Sequence, residues 1–186
     1  MASIYPIVAY GDPILRKQAT AMEPGTDVKA LAEDMIATME LAQGVGLAAP
    51  QIGQGMRIFV AALAPPHEEA QQARRHNKVF INPTLTIDTA TPSTSYDEGC
   101  LSIPGIIVPV LRKERLIISY FDKDWQPHEE AYTGFSARVL QHEYDHLEGK
   151  LHIDYATPLK KRMLKGKLND IKRGNVEAPY KMRFPT

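Results

Sequence analysis

The sequence contains a single cysteine, Cys100, so no disulfide can close within the chain, and a reducing compartment is expected. No uninterrupted apolar run approaches the roughly 20 residues that a membrane-spanning helix needs. The opening stretch, MASIYPIVAYGDPILRK, lacks the basic start, apolar centre and small-residue cleavage site of a secretory signal. With no transit peptide evident either, a cytoplasmic setting is expected. Net charge is also missing. Lys and Arg number 22 and Asp and Glu number 22, so no whole-chain field directs the protein to DNA or to a membrane.

The balance hides an uneven distribution. Residues 157–186 carry nine Lys or Arg against Asp170 and Glu177, which leaves the tail at +7 and the preceding residues at −7. Such a run is either a solvated helix face or an electrostatic foot for an RNA-rich partner.

With 186 residues, 44% of them hydrophobic, the chain is expected to form one domain over 1–186. Thr26-Asp27 offers an N-cap to a helix whose apolar positions, Val28, Leu31, Met35, Ile36 and Met39, share one stripe. That helix stops at Gly44, where a small-residue loop to Gly53 begins. Strands are expected at Met56–Leu63, Val79–Ile81, Leu85–Ile87, Leu101–Ile103, Arg115–Phe121 and Glu130–Tyr132, and a polar loop at 64–77. Helices follow at about Phe135–Glu148, capped by Gly149, and at about Pro158–Ile171, ahead of Gly174. Strands in the middle and helices at the ends indicate an α+β domain with antiparallel pairing.

The strongest local signal is His142-Glu143-Tyr144-Asp145-His146. Residues four apart on a helix stand one turn apart on one face, so both imidazoles can reach one cation. Glu143 lies close enough to meet a metal-bound water without ligating the metal. A catalytic site normally takes a third protein ligand. Read onward, Gly149 and His152 complete a spacing that also fits the metzincin proteases, and spacing alone favours His152. The other candidate is Cys100, in Glu98-Gly99-Cys100-Leu101-Ser102.

Three segments together resemble the peptide deformylase family: Gly44-Val45-Gly46-Leu47-Ala48-Ala49-Pro50-Gln51, Glu98-Gly99-Cys100-Leu101-Ser102 and Gln141-His142-Glu143-Tyr144-Asp145-His146. Leu147-Glu148-Gly149-Lys150-Leu151 continues the likeness, whereas His152 departs from it and is read as an incidental, partly exposed histidine. The resemblance implies antiparallel sheets packed around a central helix carrying the histidines, with an N-terminal and a C-terminal helix. It implies Cys100, His142 and His146 as metal ligands, Glu143 as general base, and the Gln51 amide and Leu101 N–H as donors to the formyl oxygen. Gly46 and Gly99 would line the substrate backbone, and Val45, Tyr96 and Val139 are candidate walls of the methionine pocket. Asp145 would pair with Arg112, and Glu98 is a candidate partner for a ligand imidazole.

The cofactor implied is Fe(II), one per chain, with Zn(II), Ni(II) or Co(II) as substitutes; a thiolate with two imidazoles suits any of them. The activity implied is hydrolysis of the formyl group from the formyl-methionine that begins nascent polypeptides, and the basic tail would dock on the ribosome. A metzincin-like endopeptidase, a non-catalytic peptide-binding relative and a structural metal domain are the rivals. The intact Glu143 argues against the second. The third would prefer four ligands.

Overall fold

The computed structural model describes residues 2–66 and 75–185. Its strands are β1 (Ile7–Val8), β2 (Gly46–Ala48), β3 (Ile58–Leu63), β4 (His76–Ile87), β5 (Ser93–Cys100), β6 (Ile103–Lys113), β7 (Arg115–Phe121), β8 (Pro127–Thr133) and β9 (Met182–Arg183); its helices are α1 (Lys29–Leu41), α2 (Gly134–Leu147) and α3 (Pro158–Lys172). The expected polar loop falls largely on residues 67–74, outside the described residues, and His76-Asn77 already belong to β4.

A five-stranded antiparallel sheet, ordered β2-β3-β4-β7-β8, lies between two helices. Phe59 and Ala61 of β3, Phe80 and Ile118 point to one face and pack with Val139, Leu140 and Leu147 of α2. Ile58, Val60, Val79 and Ile81 point to the other and pack with Met35 and Met39 of α1. Because both of its faces are covered, β3 reads as a continuous apolar run, Ile58-Phe59-Val60-Ala61-Ala62-Leu63, rather than an alternation.

A two-stranded hairpin, β5-β6, stands apart from this sheet. Sequence reasoning placed a strand at Leu101–Ile103; instead, residues 101–102 form the hairpin turn. Val108 and Val110 face inward, with Leu164 and Ile171 of α3 and Leu151 and Ile153 completing a third apolar cluster. Register shifts between Glu98 and Cys100, a β-bulge that re-aims the end of β5.

Helix ends follow local chemistry. Asp27 Oδ1 accepts the Lys29 N–H at 3.2 Å, so Asp27 serves the start of α1 from outside it. Thr157 caps α3 by accepting the Lys160 N–H, with Pro158 in the first turn. Gly149 follows α2 at φ 69°, and a Cβ there would stand 2.7 Å from the Arg16 carbonyl carbon. No helix among the described residues is long and apolar enough to cross a membrane.

Candidate active site

Helix α2 presents His142 and His146 on one face, and the bulged end of β5 brings Cys100 against them. One ligand atom from each of Cys100, His142 and His146 lies within 4.8 Å of the others, and Cys100 Sγ is 3.4 Å from His146 Nε2. Burial alone would keep the thiol neutral. The surrounding His146, His142 and His152 imidazoles outweigh it and hold the Cys100 thiol well below its ordinary value.

Glu98 organises the far side of His142. Its carboxylate receives Arg112 Nε at 2.7 Å, Arg112 Nη2 at 2.9 Å and Arg138 Nη1 at 2.7 Å, and lies 3.0 Å from His142 Nδ1. A carboxylate held between two guanidinium groups only accepts, so His142 carries its proton on Nδ1 and keeps the Nε2 lone pair for the cluster. Burial opposes the Glu98 charge, but the hydrogen bonds from His142 and Arg112 prevail and bring its pKa down to about 2. For His142 burial acts downward, and hydrogen bonds to Cys100 and Glu98 outweigh it and raise the pKa to about 10, so a cation that uses the Nε2 lone pair displaces a proton from it. Arg112 Nη1 also donates to Asp145 Oδ2 at 2.9 Å, and Tyr155 donates to the same oxygen at 2.8 Å. The Asp145–Arg112 pair is thus part of a buried network, not a surface pair.

Glu143 is pushed up to about 7, chiefly by burial, against the His142 and His146 charges. Its Oε2 is buried with no hydrogen-bond partner among the described residues. Gly46 makes room for this carboxylate: a Cβ there would lie 2.6 Å from Glu143 Cδ. Gln51 is buried, and its Oε1 accepts the Ala48 N–H at 2.9 Å. That bond turns Nε2 toward Cys100 Sγ, 3.5 Å away, and Ser102 Oγ, 3.4 Å away. Cys100, His142 and Glu143 line a cavity of about 520 Å³ together with Val45, Gly46, Gly99, Leu101 and Val139, among others. A soft thiolate, two imidazoles and an orphaned carboxylate oxygen beside them fit a divalent cation with an attached water.

Residues 4–162 match the polypeptide deformylase family model. The chain belongs to that family. It is 49% identical to the peptide deformylase of Cytophaga hutchinsonii over 98% of both chains. Among solved structures it is similar to the peptide deformylase of Thermus thermophilus, with a TM-score of 0.80 and 37% identity over 93% of this chain and 100% of that one. That of Legionella pneumophila aligns at a TM-score of 0.79 with 36% identity over 93% and 98%. Removal of the N-formyl group from nascent polypeptides is the activity of this metallohydrolase family and of this chain.

Two expectations need correction. Tyr96 does not line the cavity; it is 61% exposed and stacks on the Arg138 guanidinium, 5.0 Å from its ring centroid. Two residues up the hairpin from Glu98, it has passed the ligands and meets the preceding turn of α2 instead. His152 is not partly exposed but 1% exposed, and its Nε2 donates to the Ile106 carbonyl at 3.2 Å. That bond occupies Nε2; Nδ1 is buried with no hydrogen-bond partner among the described residues, but His152 stands outside the three-residue cluster.

Sequence reasoning missed Arg138, Ser102, Phe135 and the segment containing Glu177, Pro179 and Tyr180, of which all but Ser102 also line the cavity. Arg138 had a usable signal, since it stands one turn before His142 on the same helix face. The C-terminal residues had none.

Proposed function

We propose that Cys100, His142 and His146 hold the catalytic cation and that Glu143 is the general base of the deformylation reaction. The observation that carries this is convergence: a thiol held toward its ionised form and two imidazoles meet beside a buried carboxylate oxygen that has no other partner. A cation bound there supplies Lewis-acid activation of water and of the formyl carbonyl. Fe(II) suits the mixed donor set, as do Zn(II), Ni(II) and Co(II).

The chain's own groups do the rest. Glu143 takes a proton from the attacking water and returns it to the departing methionine nitrogen; its raised pKa makes it willing to hold that proton in between. Gln51 Nε2–H and the Leu101 N–H donate to the formyl oxygen as charge develops on it, each worth about 3 kcal/mol in comparable sites. Leu101 is suited to this because residues 101–102 form the hairpin turn and lie outside the β5-β6 ladder. Gly46 and Gly99 leave space for the substrate backbone, with Val45 and Val139 beside the methionine side chain. Asp145, Arg112 and Glu98 hold His142 in place.

On the same reading the protein works in the cytoplasm on chains leaving the ribosome. Helix α3 buries Leu164 and Ile171 and turns Lys161, Arg162, Lys165 and Lys167 to solvent, a face suited to ribosomal RNA.

Metal analysis of two variants tests the ligand set. Cys100→Ser should purify without its cation and without turnover of a formyl-Met tripeptide. His152→Ala should keep one cation per chain and melt at a lower temperature, because a buried, hydrogen-bonded side chain is lost. The reverse pattern would make His152 the ligand and restore the endopeptidase alternative.

A further inference from the structure

The family match ends at residue 162, yet the chain beyond it returns to the active site. After α3, Gly174 adopts φ 78° and ends the helix. The chain then runs back so that β9 pairs in parallel with β1, with Ile7 opposite Met182 and Val8 opposite Arg183. Between these two anchors, Glu177, Pro179 and Tyr180 line the same cavity as Cys100 and His142. The Tyr180 hydroxyl donates to the Leu101 carbonyl at 2.9 Å, across 79 residues of sequence. Burial and the nearby Cys100 charge raise its pKa to about 12, so it stays a donor at neutral pH.

Leu101 is held from several sides. A Cβ on Gly44 would stand 2.8 Å from Leu101 Cδ1, so the side chain sits directly against that glycine. The following residue is tied to the N-terminal segment, because Tyr10 N–H donates to the Ser102 carbonyl at 2.9 Å. Tyr180 completes the set by fixing the peptide plane that leaves Leu101.

We infer that residues 177–180 form a wall of the substrate cleft and that Tyr180 is a positioning residue, aiming the Leu101 N–H at the formyl oxygen. The inference rests on the role proposed above for Leu101. It extends the working site into a part of the chain that the family model does not cover.

Tyr180→Phe keeps the ring and removes only the donor. In the metal-loaded enzyme it should lower kcat for a formyl-Met tripeptide by about ten-fold, as expected when a donor loses its aim, and leave KM within about two-fold. Its melting temperature should stay close to that of the parent. Amide hydrogen exchange supplies a readout apart from turnover: Leu101 and Ser102 should exchange faster while the β1-β9 amides do not change. Unchanged kcat, or a kcat loss that tracks lost stability and exchange spread over β1-β9, would overturn the role. Gln51→Ala in the same assays separates the two readings. If Gln51→Ala loses kcat and Tyr180→Phe does not, the Tyr180 role fails alone; if neither loses kcat, the assignment of donors to the formyl oxygen fails with it.

Discussion

The floor and the mouth of the cleft are built on opposite terms. On the floor, Glu98 and Arg112 are buried and every oxygen of the Glu98 carboxylate is spoken for by Arg112, Arg138 or His142. At the mouth, Ile107 and Phe135 are 58% and 42% exposed, and Asp97 and Glu177 enter no ion pair among the described residues. On the reading proposed above, the floor serves one invariant chemical group and is preorganised for it, which favours low side-chain entropy and a fully connected polar network. On the same reading, the mouth meets whatever residues follow the first methionine. A solvated, weakly committed rim suits that variety.

The contrast can be broken first at the floor. Glu143→Ala should lower turnover by about three orders of magnitude, the scale of a lost general base, while metal analysis finds the cation still bound. Survival of activity would mean that another group takes the proton.

A smaller effect is expected at Glu98. Its folded pKa of about 2 lies below the ordinary 4.5. It therefore contributes stability that is fully present above pH 4.5 and is lost as pH falls from there toward 2. Glu98→Gln should cost roughly 3 kcal/mol at pH 7, because Arg112 and Arg138 then face a neutral amide in a buried site. Urea denaturation of both proteins at pH 7 and pH 3 should show the gap narrowing at the lower pH; a constant gap would place the loss in packing instead.

The smallest effects belong to the rim. Phe135→Ala should raise KM for formylated tripeptides about two- to five-fold with kcat unchanged, since it removes apolar contact area and an exposed stacking contact with Arg75 but no group near the ligands. Tyr96→Ala, outside the cavity, should leave both constants alone and cost under about 1 kcal/mol from its exposed contact with Arg138. A KM effect at Tyr96 equal to that at Phe135 would erase the distinction between rim and outer surface.

The same division governs what the sequence revealed. The helices were legible because Met35 and Met39 recur at helical spacing in α1, Gly149 follows α2, and Pro158 and Gly174 bound α3. The three motifs were legible because their chemistry is local. The β5-β6 hairpin was not, since Ser, Thr, Asp and Gly in β5 and Pro104, Gly105 and Pro109 in β6 read as breakers. Its signal lay in alternation: Ile106, Val108, Val110 and Arg112 are buried while Ile107, Pro109 and Leu111 are exposed. Pro109 is tolerated because, among the described residues, β6 pairs only with β5, so a missing N–H can face the open edge. His152 misled in both directions: its spacing imitates a ligand and its polarity suggests a surface, whereas tertiary contacts with Ile106 and the His142 ring account for its burial. Arg138 and Tyr180 act over 40 and 79 residues of separation, which no local window spans.

The parallel pairing of β1 with β9 also orders events in time. A ribosome releases the chain from its beginning, so Ile7 and Val8 emerge early and wait with a bare edge until Met182 and Arg183 arrive. Until Tyr180, two residues ahead of Met182, has been made, the cleft lacks a side. An enzyme that trims the starts of other growing chains is therefore itself among the late finishers, complete only once almost everything described here has been translated.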